Sequence, residues 1–148
     1  NNYALPPGEI ELDGDPTGMG EHTDYGIVTV LWADQVKGLQ VLDQHGDWHD
    51  VSPADGALLI NLGDLMARWT NDAWVSTLHR VVNPPLDAGA ESRRQSLIFF
   101  HNPNYDAPVA CIPTCVKPGE APKYPPTTSG DHLAKLFRAT QNAAAAAG

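Results

Sequence analysis

The sequence predicts an all-β core, an antiparallel sandwich or barrel, followed by a proline-rich wrap and one C-terminal helix. Short runs rich in Val, Ile, Leu, Thr and aromatics recur about every 8–12 residues, each bounded by Gly, Pro, Asn or Asp. Between the closely spaced runs from residue 27 to residue 61 there is no room for the crossover helix of about a dozen residues that parallel strands require. Only near residue 128 does the pattern turn helical.

The first strand covers residues 2–5. With no initiator Met before Asn1, it reads as entered midway, so an upstream part of a longer protein is expected. The next runs are 27–33, an apolar stretch interrupted by Thr29, then 39–43 and 48–51. His45-Gly46-Asp47 joins the last two as a tight hairpin turn. Residues 57–61 form another strand, ended by Asn61-Leu62-Gly63-Asp64 as a turn in which Gly63 supplies a positive φ. In the strand 77–83, alternation puts Thr77, His79 and Val81 on one face and Leu78, Arg80 and Val82 on the other. The last strand is 94–101, with Arg94, Ser96, Ile98 and Phe100 sharing a face and Arg93 turned outward.

Residues 102–126 then carry seven prolines, expected to prevent regular pairing. Thr128-Ser129-Gly130-Asp131 resembles a capping box at a helix start, and Leu133, Leu136 and Phe137 give that helix an apolar stripe. Alanines carry it towards Gly148.

The chain has 148 residues, a formal net charge of −9 and 42% hydrophobic residues, which fits one globular domain. Nine Lys and Arg against eighteen acids argue against a nucleic-acid partner. No apolar run approaches the roughly 18 residues of a membrane span, and no signal peptide is visible. Cys111 and Cys115 are too few for a disulfide scaffold or a zinc site and read as reduced thiols in a cytoplasmic protein. His45, His49 and His132 are expected in solvent and His101 at a rim. The four tryptophans read as core or loop anchors.

Three pieces of sequence carry chemistry. In His22-Thr23-Asp24, an imidazole and a carboxylate two residues apart on an extended segment point the same way and can approach one metal ion. His79 is the second piece, although a histidine among β-branched residues is, alone, more often a packed core residue. Arg94 is the third: it enters an apolar strand face, where a guanidinium needs an anion, and Ser96 can add a hydroxyl to the same group. An internal acid could serve as that anion equally well. Together they offer two imidazoles, one carboxylate and a carboxylate-binding arginine, the donor set of non-haem Fe(II) oxygenases. Zinc hydrolases also use mixed ligands, but His-Glu-x-x-His is absent.

His22-Thr23-Asp24-Tyr25-Gly26, Gly38-Leu39-Gln40-Val41, Asn61-Leu62-Gly63-Asp64, Thr77-Leu78-His79-Arg80-Val81 and Arg94-Gln95-Ser96 occur in this order. They resemble the isopenicillin N synthase-like family of Fe(II)- and 2-oxoglutarate-dependent dioxygenases. The resemblance implies a double-stranded β-helix, or jelly roll, over residues 1–105, with 106–148 as a C-terminal extension. It also implies a helical N-terminal region bracing one sheet; without it, residues 1–148 would expose apolar surface and aggregate or bind ANS. His22, Asp24 and His79 become the iron ligands, and Arg94 and Ser96 the binders of the distal 2-oxoglutarate carboxylate. Tyr3, in Asn1-Asn2-Tyr3, adds a hydroxyl to that co-substrate. The interval from His79 to Arg94 is longer than usual in the family, and the excess, residues 84–91, reads as a lengthened loop.

The activity so implied is oxidation of a small-molecule C–H bond by O2, with 2-oxoglutarate leaving as succinate and CO2 and ascorbate as a reductant. Three alternatives stay open: an isopenicillin N synthase-like oxidase that uses no 2-oxoglutarate, a non-catalytic jelly-roll binding module, and a zinc-dependent hydrolase.

Overall fold

A computed structural model describes residues 2–4, 17–83 and 93–147. Its strands are β1 (Asn2–Ala4), β2 (Thr17–His22), β3 (Val28–Ala33), β4 (Leu39–Leu42), β5 (Trp48–Asp50), β6 (Leu59–Leu62), β7 (His79–Val82), β8 (Arg93–His101), β9 (Pro108–Val109) and β10 (Thr127–Thr128). Two helices join them, α1 (Asp64–Trp69) and α2 (Ser129–Ala147). The first eight strands form two four-stranded sheets, ordered β1-β8-β3-β6 and β2-β7-β4-β5. Only β4 and β5 are both consecutive and adjacent; every other step from β1 to β8 changes sheet. That interleaving is a jelly roll. Residues 84–91, read as a lengthened loop, lie outside the described residues.

Two compact units make up the described chain. The first comprises Asn1–Thr23, Val30–Asn61 and Thr77–Phe99. Within it, β4 and β5 close the expected hairpin: the Asp43 and Asp47 backbones bond at 2.9 Å, and Gly46 takes φ +90°. The Asp43 carboxylate accepts the backbone N–H groups of His45 and Asp47 and a bond from the exposed His49 ring. The Asp47 amide first, then the His49 ring, pull its pKa down to about 2. A depressed carboxylate contributes stability above its unfolded value of 3.8 and loses it as pH falls through about 2. An acid titration followed at the Asp43 carboxyl carbon is therefore expected to show no step near pH 4 and a midpoint near 2. A midpoint at the ordinary value would mean that the turn does not hold this carboxylate.

The sequence reading missed β2. Its Thr-Gly-Met-Gly-Glu-His run has two glycines and no apolar alternation, and antiparallel pairing with β7, broken by two register shifts, makes it a strand. The strand predicted over 77–83 begins only at His79. Along β8, Arg94 and Ser96 are buried and Arg93 faces solvent, as the alternation requires. The buried stripe ends before Phe100, which is 55% exposed, a correction to the face drawn through that residue. Outward positions in or beside β3, β6 and β8 carry Trp32, Leu58, Ile60, Leu97 and Phe99, all between 42% and 70% exposed.

The second unit comprises Asp24–Thr29, Leu62–Ser76 and Phe100–Gly148. Ile27, Leu65 and Val109 form its buried cluster, with Val28, Met66 and Trp69 against it. Trp69 is thus an anchor, whereas Trp32 and Trp74 stand largely in solvent. The segment read as a strand-ending turn opens α1, and Gly63 has φ −103°, not a positive value. Glycine is required there for space: a Cβ would run into the carbonyl oxygens of Gly26 and Asp24.

The proline-rich wrap also differs from expectation, because β9 and β10 pair antiparallel with Thr128 opposite Pro108. Both strands of a two-stranded ladder are edges, where proline is tolerated. Left-handed Asn71 and Asp72 clip the wrap down. The Asn71 amide accepts the Lys123 N–H, and the Asp72 carboxylate accepts bonds from the Lys123 ammonium and the Tyr124 hydroxyl. At α2 the capping-box-like arrangement gives the expected cap, with the Asp131 N–H donating to the Thr128 hydroxyl oxygen and that hydroxyl donating to the Asp131 carboxylate. His132 departs from its expected solvated state. It is half-buried, and burial followed by the Arg68 charge lowers its pKa.

Candidate metal centre

β2 ends at His22 and β7 begins at His79, and the register sets the two directly opposite. Their ring centroids lie 4.3 Å apart, tilted by 54°. Each ring is fixed by a backbone carbonyl two residues earlier: His22 Nδ1 bonds to the Gly20 oxygen at 2.8 Å and His79 Nδ1 to the Thr77 oxygen at 3.0 Å. A carbonyl only accepts, so both Nδ1 atoms carry the proton and the lone pair resides on Nε2. This is how metal-binding histidines are oriented.

Asp24 lies two residues beyond the end of β2 and is buried. The Thr29 hydroxyl, also buried, donates to its Oδ2 at 2.5 Å. Thr29 is the polar residue that interrupted the apolar run 27–33, the one signal by which the sequence could have shown this partner. The backbone around Asp24 is held by the start of α1. The N–H groups of Gly63, Asp64 and Leu65 donate to the carbonyls of Ile27, Asp24 and Gly26 at 3.0, 2.7 and 3.1 Å. Helix N-termini leave such donors without intrahelical partners, and here they pin this segment.

One ligand atom from each of His22, Asp24 and His79 falls within 4.8 Å of the others. Three donors so gathered can share one first-row ion after small side-chain adjustment. Two neutral imidazoles and one carboxylate leave coordination positions for further ligands, a donor set that suits Fe(II). Arg94 and Ser96 share the buried face of β8, each 2% exposed. Arg94 Nε donates to the Val36 carbonyl at 3.2 Å, which orients the guanidinium. Gly38 supports this arrangement, because a Cβ there would strike the Val82 carbonyl and crowd the Arg94 side chain. Tyr3 is placed by backbone register alone, opposite Arg94 on β1.

Comparison with known proteins gives a consistent result. The description "2OG-Fe(II) oxygenase superfamily" matches residues 1–103. The 2-oxoglutarate-Fe(II) type oxidoreductase hxnY of Emericella nidulans is 48% identical over 122 residues, covering 82% of this chain and 34% of that protein. Homoarginine-6-hydroxylase 2-ODD-233 of Oryza sativa subsp. japonica is 37% identical over 119 residues, covering 79% of this chain and 35% of that protein. A full-length Neurospora crassa protein crystallised in complex with alpha-KG superposes with a TM-score of 0.77 at 40% identity, covering 84% of this chain and 38% of that one. A further crystal structure of the same Neurospora protein holds thymine as well. The chain therefore spans about a third of the length of the curated relatives that it matches.

Proposed function

This chain belongs to the 2OG-Fe(II) oxygenase superfamily, and from that premise we propose that it carries the reaction centre of a dioxygenase acting on a small molecule. Residues 1–105 are the catalytic core in this reading and 106–148 an extension. His22, Asp24 and His79 hold Fe(II). Arg94 and Ser96 bind the distal carboxylate of 2-oxoglutarate, and Tyr3 adds a hydroxyl. When bound, iron and 2-oxoglutarate let O2 oxidise a substrate C–H bond while the co-substrate leaves as succinate and CO2, with ascorbate keeping the metal reduced.

The protein's own part is orientation. The Gly20 and Thr77 carbonyls orient the two imidazoles through Nδ1, and Thr29 fixes one carboxylate oxygen of Asp24. Arg94 supplies a buried positive charge whose planar fork matches a carboxylate, and Ser96 offers a hydroxyl on the same face. The gathering of three donor atoms within 4.8 Å carries the proposal.

The family is isopenicillin N synthase-like in our reading, on the motif order given above. The compartment is cytoplasmic, supported by two free cysteines. No helix among the described residues is long and apolar enough to cross a membrane.

The test uses the full-length protein. Anaerobic addition of Fe(II) and 2-oxoglutarate is expected to raise a visible metal-to-ligand charge-transfer band, and aerobic turnover to release succinate. A band without succinate would favour an oxidase that spares 2-oxoglutarate. Absence of both would leave only a binding module.

A further inference from the structure

One side of α2 converges on Tyr25, the residue that follows Asp24. The Phe137 ring meets the Tyr25 ring edge-on, with centroids 5.4 Å apart at 88°. The Tyr25 hydroxyl lies 2.5 Å from Thr140 Oγ1. Thr140 donates its single hydroxyl proton to the Leu136 carbonyl at 3.1 Å, so the phenol is the donor in that short bond. Phe137 and Thr140, three positions apart, lie on one side of the helix. They meet a segment that the α1 amides also hold, through Asp24, Gly26 and Ile27.

We propose that Tyr25 is a positioning residue through which α2 sets the orientation of the Asp24 carboxylate, and hence how firmly the centre retains Fe(II). The inference rests on the iron-ligand role of Asp24 proposed above. Its physical basis is the shortness of the linkage. Tyr25 and Asp24 share a peptide unit, so a rotation of the Tyr25 backbone turns Asp24 as well. Without its tie to α2, the segment loses one of its supports, and Asp24 samples a wider range of orientations. A carboxylate ligand that spends less time in its binding orientation binds the ion less tightly by that fraction.

The experiment measures Fe(II) affinity of the full-length protein by anaerobic competition with a colorimetric chelator, without 2-oxoglutarate. Tyr25→Phe removes the donor and Thr140→Val the acceptor. Each is expected to weaken Fe(II) binding by about three- to tenfold, the equivalent of one ordinary hydrogen bond acting on the ligand through the backbone rather than touching it. The double variant should be no weaker than the weaker single one, because both remove the same bond. With Fe(II) saturating, 2-oxoglutarate affinity should stay within about twofold of wild type, since Arg94 and Ser96 lie elsewhere. Tyr124→Phe, which breaks a bond to Asp72 in the same unit without touching Tyr25, distinguishes positioning from general loosening. It should lower the melting temperature and leave Fe(II) affinity unchanged.

The proposal is overturned if Tyr25→Phe and Thr140→Val bind Fe(II) like wild type. It is equally overturned if Tyr124→Phe weakens Fe(II) binding as much as they do. A wild-type protein that binds Fe(II) but gives no charge-transfer band overturns the co-substrate reading and leaves this measurement standing. One that binds no Fe(II) overturns both.

Discussion

His79→Ala in the full-length protein is expected to abolish the charge-transfer band and to reduce succinate formation to background. Removing an imidazole would delete one of the three proposed donors, so the loss of Fe(II) affinity should exceed the roughly 10–100-fold typical of a residue that only orients a ligand. Thr29→Val provides that comparison. It deletes the hydroxyl bonded to Asp24 but keeps the side-chain shape, and its expected loss lies inside the same range of about 10–100-fold. His79 is only half-buried and its Nδ1 partner is a backbone carbonyl, so the variant should fold and circular dichroism should be unchanged. Full succinate release from a folded His79→Ala protein would remove this residue from the centre.

Arg94→Gln carries the second large effect. Within a buried face, a guanidinium meeting a carboxylate is a desolvated, hydrogen-bonded charge pair, and truncating one partner costs about 2–5 kcal/mol. The 2-oxoglutarate concentration at half-saturation should therefore rise on the order of a hundredfold or more. Iron binding in the absence of co-substrate should be retained. Arg94→Lys should rescue little, because an ammonium cannot present the planar fork. The competing possibility, that Arg94 serves an internal acid, has a distinct signature: a lower melting temperature with unchanged 2-oxoglutarate saturation. That pair of results would withdraw Arg94 and Ser96 from the co-substrate site.

Residue type and spacing carried much of the candidate site. His22 and Asp24 were readable as a pair because alternation on an extended segment is a local property. Arg94 and Ser96 were readable because a guanidinium two positions from a serine on an apolar face has few uses. The hairpin at Gly46 and the capping box at Thr128 were legible for the same reason, since each closes within a few residues. Features that depend on a distant partner were missed. β2 has no strand pattern of its own and exists because β7 pairs with it. α1 is one short run after a glycine, stabilised by Leu65 in a buried cluster and by carbonyls that accept its first amides. Pro108 argued against pairing, yet a two-residue edge ladder asks little of it. His132 looked like a polar helix residue and is half-buried beside Arg68 and the Tyr25 backbone.

The sequence by itself determined which side chains the candidate centre has available, the order of their motifs, the strand-rich class of the chain and its acidic charge balance. These follow from local chemistry and from short-range periodicity. Tertiary structure alone decided that His79 stands across from His22, that carbonyls and a threonine orient the donors, and that one side of α2 reaches Tyr25. Each of those depends on pairing or packing between stretches far apart in the chain. The free energy of such contacts belongs to both partners at once, so neither stretch read alone reveals them.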